Sequence, residues 1–267
     1  MRKKVSSFVL TLALGLISVS AQAVLVAYYP FNGNANDESV NSNDGTVNGA
    51  SLTADRFGNV DSAYSFDGIA DYMDLGNDAS VQFSGTPTMS VFGWVNLSGG
   101  ETDIGIDKYS SQGGSPNGAN KGYYLAFFDT GATTVVRAGF GNGVETKIDA
   151  VTDIGDGEWH HVGWTWDGST VDIYVDGVWD FGQVYTGGIL DNGLALSFAK
   201  RIDLPTNIYT GLMDDIRIYD NVLSSSDILA LFNQSESVPE PGTLGLLGAG
   251  LIGLAWRRRR AAKNQRH

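Results

Sequence analysis

The chain has 267 residues, 42% of them apolar and 11% aromatic, with 35 glycines, no cysteine and a formal net charge of −13 at pH 7. This composition excludes a disordered or collagen-like chain, disulfide stapling and a cysteine nucleophile. It leaves material for one sizeable core, since about 210 residues suffice for a single all-β domain.

The first predicted element is an address. Arg2, Lys3 and Lys4 precede the apolar run from Phe8 to Val19, and Ala21-Gln22-Ala23 offers small residues where a signal peptidase must accommodate them. Residues 1–23 therefore read as a signal peptide cleaved after Ala23, which places Val24 outside the cytoplasm. A retained anchor is the competing reading; it would need ~18 or more uninterrupted apolar residues.

From Val24 onward, short β-branched and aromatic runs alternate with Gly, Asp and Asn turns, the punctuation of an all-β protein. Strands are predicted at 24–31, 63–67, 71–75, 89–97, 123–129, 134–140, 159–166, 170–176, 194–199 and 212–219. Val171, Ile173 and Val175 alternate with Asp172, Tyr174 and Asp176, the pattern of a half-buried antiparallel strand. The turns Asp167-Gly168-Ser169 and Asp176-Gly177 make it the middle of a three-strand meander reaching Val178-Trp179. One helix is predicted: Ser224 with Asp227 forms a capping-box start, and Ile228, Leu229, Leu231 and Phe232 supply its apolar face.

Residues 234–242 form a linker, 243–256 an uncharged apolar segment and 257–267 a basic tail with Arg257, Arg258, Arg259 and Arg260. Fourteen residues reach only ~21 Å as a helix, short of a hydrocarbon core of about 30 Å. The succession of Pro239-Glu240-Pro241, a short Gly-rich apolar segment and terminal arginines resembles the PEP-CTERM sorting signal of exported Gram-negative proteins. That resemblance implies recognition of the triplet by an exosortase, a membrane-embedded cysteine protease/transpeptidase, while 243–256 transiently spans the inner membrane. The four arginines would then stop transfer on the cytoplasmic side. A permanent tail anchor is the alternative.

The two addresses carry nine of the 17 basic residues and one of the 30 acids, so 24–238 holds 8 cations against 29 anions, a net charge of −21. Such a domain repels phosphate backbones and anionic membranes, which excludes nucleic-acid binding and leaves neutral glycans, cations and basic proteins. Of its acids 24 are Asp, a bias toward turns, caps and calcium-type oxygen ligands over helix surfaces.

Several stretches together resemble a LamG-like jellyroll domain of the concanavalin A-like lectin/glucanase superfamily across 24–233. They are Val26 to Asp37, Ala63-Tyr64-Ser65-Phe66-Asp67-Gly68 with Asp71-Tyr72, Met89 to Leu97, Gly157 to Val162, Tyr174-Val175-Asp176-Gly177, and Gly211 to Tyr219. The resemblance implies a two-sheet antiparallel sandwich with one short C-terminal helix. Departures fall at Ser197-Phe198-Ala199, where the family usually has a glycine, and in the stretch from Ser110 to Lys121. Glucanases of the superfamily carry paired glutamates on one strand, as glycoside cleavage requires. Glu145 to Asp149 lacks that pattern, so no enzyme activity is expected.

His160 and His161 read as packing residues, His160 sharing a face with Val162, Trp164 and Trp166. Asp214 falls by alternation on the side of Ile216 and Ile218, where an acid needs a counter-charge. In the superfamily a structural calcium often lies near the first and last strands. Asp214, Asp37 and Asn34 are accordingly candidate ligands of a calcium ion clipping the termini together. The competing reading makes Asp37 a turn residue and pairs Asp214 with Arg217 or backbone amides.

Tyr109, Trp179, Tyr185 and Tyr209 are the aromatic candidates for stacking on sugars, although most aromatics are needed for the core and none is assigned a site. The resulting expectation is an exported surface or matrix module recognising an extracellular glycan or protein. A glycan-degrading enzyme and a spacer without a ligand are the alternatives.

Overall fold

The structure, a computed structural model, describes residues 23–97, 103–111, 118, 120–204 and 209–234. The signal peptide before Ala23, the sorting motif, the apolar segment 243–256 and the basic tail lie outside the described residues, as does most of the stretch between Ser110 and Lys121.

Among the described residues, fifteen strands and one α-helix follow in chain order: β1 (Leu25–Tyr29), β2 (Thr46–Asn48), β3 (Ser51–Thr53), β4 (Ala63–Asp67), β5 (Tyr72–Asp74), β6 (Met89–Asn96), β7 (Asp103–Ser110), β8 (Lys121–Asp129), β9 (Thr134–Asn142), β10 (Glu145–Asp149), β11 (Trp159–Trp166), β12 (Thr170–Val175), β13 (Val178–Val184), β14 (Ser197–Phe198), β15 (Thr210–Tyr219) and α1 (Ser225–Phe232). They form two antiparallel sheets. The first runs β13-β12-β11-β6-β15-β4-β3 with β1 also paired to β15, and the second runs β10-β9-β8-β7-β14-β5-β2.

This is the expected jellyroll-like sandwich, and alternation explains its core. On β11, Val162, Trp164 and Trp166 face inward, as do Val91 and Val95 on β6 and Tyr123, Leu125 and Phe127 on β8. Phe140 from the second sheet meets Trp164 edge-on at 4.9 Å, closing the two layers over aromatic rings.

The predicted meander is present as β11-β12-β13. Asp176 and Gly177 both take positive φ, 50° and 78°, which gives the I′ turn whose twist suits a hairpin. Four strands escaped the sequence pattern. β2 and β3 are three-residue pieces, β10 is short and charged, and β7 mixes Asp, Gly and Lys with its apolar residues. The departure at Ala199 has a backbone cause: its φ is +68°, the region glycine occupies without strain.

Helix α1 carries the predicted capping box, Ser224 accepting from the Asp227 N–H while the Asp227 carboxylate accepts from the Ser224 N–H. It lies on the outer face of the first sheet, where Ile228 and Leu231 cover Phe92, Tyr174 and Tyr219. Gly163 makes room for this layer, since a Cβ there would stand 2.3 Å from both the Val91 carbonyl oxygen and the Phe92 ring.

Because the carbonyl cannot yield, Gly163→Ala is expected to lower stability by about 1–3 kcal/mol. The urea midpoint checks this, with an unchanged slope as the sign of intact two-state unfolding.

Candidate functional site

The site grows from an irregularity in β15. Met213 pairs with Val95 and Asp214 with Trp94, yet Phe92 pairs with Arg217, so Gly93 alone opposes both Asp215 and Ile216. The extra residue is accommodated by a positive φ of 52° at Asp215. Parity therefore changes along the strand. Met213, Ile216 and Ile218 all join the core, while Asp214 falls with Trp94 on the outer face. Simple alternation from Ile216 puts Asp214 on the core side; the bulge corrects that expectation.

Asp214 is only 3% exposed, and its counter-charge is Arg56. The β3–β4 connection holds Arg56 in place because the Asp55 carboxylate accepts from the N–H groups of Phe57 and Asn59 at 2.8 and 2.9 Å. Arg56 Nη1 donates to Asp214 at 2.6 Å and Nη2 to Asp215 at 2.8 Å. Its guanidinium lies between the rings of Phe57 and Trp94, 4.4 Å from each centroid. Asp215 also accepts from Tyr28 Oη at 2.9 Å and from Arg217 at 3.2 Å. Burial and the adjacent Asp215 carboxylate push the Asp214 carboxyl up to about 8, against the pull of Arg56.

A cleft of about 830 Å³ opens over this network, lined among others by Tyr28, Asn32, Phe57, Ser62, Arg217 and Gln234. On the other side of Arg56 and Phe57 is a smaller hollow of about 510 Å³, bounded by Trp94, Trp159, Asp176 and Phe232. The end of α1 walls both, and Gln234 accepts from Arg217 at 3.0 Å.

The three candidate calcium ligands do not share a site. Asp37 accepts from the N–H groups of Tyr28 and Ser39 through Oδ1, and from Asn43 N–H and Ser39 Oγ through Oδ2, all at 2.8–2.9 Å. Asn34 Oδ1 accepts from the Asn36 N–H at 2.8 Å. With Asp37 saturated by donors and Asp214 held by a guanidinium, these residues do not make a cradle for a hard cation. No cluster of three potential metal-binding acids or histidines exists among the described residues.

Three of the four aromatic candidates are core. Tyr109, Tyr185 and Tyr209 are buried, and Tyr109 and Tyr124 clasp Arg201 beside Asp107 on the second sheet. Trp179 alone is open, at 55% exposure. Glu145 accepts from Tyr124 Oη at 2.9 Å, and Asp149 holds Arg137 at 2.5 Å, so the stretch weighed for carboxylate chemistry is tied into the sheet.

The two histidines play opposite parts. His161 is buried against Phe92, its rings 5.4 Å apart, and burial lowers its pKa to about 3. His160 stands at the rim between Asp176 at 2.9 Å and Asp156 at 3.1 Å, and the bond to Asp176 leads in raising it to about 9. Sequence reading missed Arg56, Phe57 and Tyr28 as site residues. The available signal was the acid pair Asp214-Asp215 inside an apolar strand of a domain with eight cations.

Residues 66–229 match the family model described as the concanavalin A-like lectin/glucanases superfamily, and 237–260 match the PEP-CTERM protein-sorting motif. No curated protein sequence matches the chain. Among solved structures, domain 4 of AbnA, a GH43 extracellular arabinanase from Geobacillus stearothermophilus, in complex with arabinotriose, is similar at a TM-score of 0.60 and 20% identity, over 80% of this chain and 100% of that one. The binding domain of Paraclostridial Mosquitocidal Protein 1 is similar at 0.62 and 18%, over 79% of this chain and 52% of that one. Botulinum neurotoxin type C, in a structure described as showing cell entry dependent upon interaction with two ganglioside molecules, is similar at 0.58 and 15%, over 79% and 50%. The chain thus spans about half the length of these two toxin chains.

Two outcomes follow from the charges. Arg56→Ala leaves the buried carboxyls of Asp214 and Asp215 without their shared guanidinium and is expected to cost about 3–5 kcal/mol at pH 7, part of it recovered when Asp214→Asn is added; chemical denaturation of the single and the double variant beside the parent checks this. His160 has a folded pKa above its ordinary 6.5. Its contribution is therefore complete below about 6.5 and is lost as pH rises through about 9. The His160 share of that fall is expected to be about 1–2 kcal/mol, the solvent-facing Asp156 and Asp176 tempering the effect, and His160→Gln is expected to flatten the slope above about pH 8, where the raised Asp214 carboxyl has finished titrating.

Proposed function

Because the chain belongs to the concanavalin A-like lectin/glucanases superfamily and carries a PEP-CTERM sorting motif, we propose that it works as a recognition module at the cell surface or in the extracellular matrix, binding a neutral saccharide. The sorting motif itself makes it an exported protein and implies processing by exosortase.

The observation that carries the saccharide reading is the state of charge in the larger cleft. Its carboxylates and guanidiniums are already paired with one another, so an ionic ligand finds no free counter-charge in the Arg56 network. Hydroxyl and amide groups of Ser62, Asn32 and Gln234 line the same walls as the apolar Pro30, Phe57 and Leu231. That mixture suits an uncharged, hydroxyl-rich ring with an apolar face. The relatives described as bound to arabinotriose or dependent on gangliosides support the reading without fixing the sugar.

Binding without cleavage is part of the proposal. Glycoside hydrolysis uses two carboxylates flanking the scissile bond, about 5–5.5 Å apart for retention and wider for inversion. Asp214 and Asp215 instead converge on one guanidinium, so neither faces an open gap across from the other. Affinity for a panel of neutral oligosaccharides is expected without release of reducing ends. Phe57, 47% exposed at the rim, is expected on truncation in Phe57→Ala to weaken binding by about three- to tenfold while leaving the melting temperature near that of the parent. Loss of neither binding nor selectivity in that variant refutes the cleft as the site.

Sorting is tested separately. Replacing Pro239-Glu240-Pro241 by alanines is expected to leave the unprocessed chain in the membrane fraction, read as a retained C-terminal epitope. Processing that continues unchanged overturns the role of the triplet.

A further inference from the structure

Trp179 occupies an unusual position for a large aromatic residue. It lies on β13, the outer strand of the first sheet, registered opposite Tyr174. More than half of it is exposed, yet the side chain is not free: its indole N–H donates to Asp172 Oδ1 at 2.8 Å. The ring also rests against Gly182. A Cβ at that glycine would stand 3.3 Å from Trp179 Nε1, 3.4 Å from Cζ2 and 2.3 Å from Asp172 Oδ1. Bare backbone at 182 is thus what lets the indole lie down and reach its acceptor.

The strand edge beside it is unsuited to recruiting another strand. β13 bulges at Asp180, between Trp179, paired with Tyr174, and Phe181, paired with Ile173. The Asp180 carboxylate then accepts from the Val151 N–H at 2.6 Å and from the Thr152 hydroxyl, which brings a loop across the edge. Bulging and covering are the usual means of blocking edge-to-edge pairing. Beside this blocked edge stands a fixed aromatic plane.

We propose that Trp179, pinned by Asp172 over Gly182, is a stacking platform for a ring of a neutral polysaccharide and forms a subsite separate from the cleft. The inference rests on the saccharide reading above but not on the cleft, whose lining does not include Trp179. An indole already held in one orientation loses little rotamer freedom on binding, which lowers the entropic cost of stacking. The apolar C–H face of a sugar ring meets the π face. Asp172 Oδ2, with no hydrogen bond from the described residues, stands beside it to accept from a ring hydroxyl. A cationic peptide side chain would also favour an indole next to a carboxylate. One open plane, with no second ring among the described residues to complete a cage, suits an extended sugar better.

The test uses the exported protein produced from the whole chain, with cellohexaose, arabinohexaose and chitohexaose as neutral probes and hexalysine as the cationic one. At least one sugar is expected to bind and to shield Trp179 from a fluorescence quencher. Trp179→Ala is expected to lose about tenfold in affinity. Gly182→Ala keeps the indole but unseats it, and is expected to lose about threefold, which a merely sticky patch would not do. Equal sugar affinity in both variants overturns the platform, as does salt-sensitive shielding by hexalysine alone. If sugars bind and only Phe57→Ala weakens them, the cleft stands and the platform falls; if no sugar binds, both fall.

Discussion

The governing constraint is electrostatic. A segment with a net charge of −21 must fold around eight cations, and among the described residues six of them meet carboxylates: Arg56, Lys108, Arg137, Lys147, Arg201 and Arg217. The deepest acids receive the best partners. Arg56 answers both Asp214 and Asp215, and Arg201 answers Asp107, whose carboxyl burial nonetheless pushes upward. Spending positive charge inside leaves a predominantly negative exterior, which keeps copies apart and disfavours anionic polymers. The uncharged ligand proposed for the cleft suits that exterior as well.

The aspartate excess has a local explanation. Asp37, Asp55, Asp67, Asp74, Asp78, Asp129, Asp153, Asp167 and Asp191 each accept from the backbone N–H two residues on, closing turns with their own side chains. Glutamate, one methylene longer, does not form this short ring. A protein without cysteine thus stiffens its many loops one by one, and the composition that suggested cation binding is accounted for by turn closure.

Local chemistry was legible in the sequence and long-range chemistry was not. The Asp176-Gly177 hairpin, the alternation of Val171, Ile173 and Val175, and the Ser224–Asp227 box each depend on neighbours a few residues away, and each formed as expected. Arg56 meets Asp214 across 158 residues, so no spacing rule could pair them. The bulge at Asp215 is equally silent in sequence: a β-strand pattern carries a period of two, and one inserted residue reverses every inference drawn from it. Among the aromatic candidates, exposure alone separated Trp179 from the three buried tyrosines, and exposure is a property of packing.

Helix α1 also determines how the domain bears force. The described chain ends at Gln234, five residues before the sorting triplet, and its last links to the sandwich are the Gln234–Arg217 hydrogen bond and the stacking of Phe232 on Trp94. The start of the domain is tied elsewhere, Val24 bonding Asp220 and β1 pairing along β15. Tension entering through the tail meets eight helical residues before it meets any strand. The chain therefore leaves the sandwich from a helix laid on the outer face of the first sheet, whereas it enters through a strand paired within that sheet.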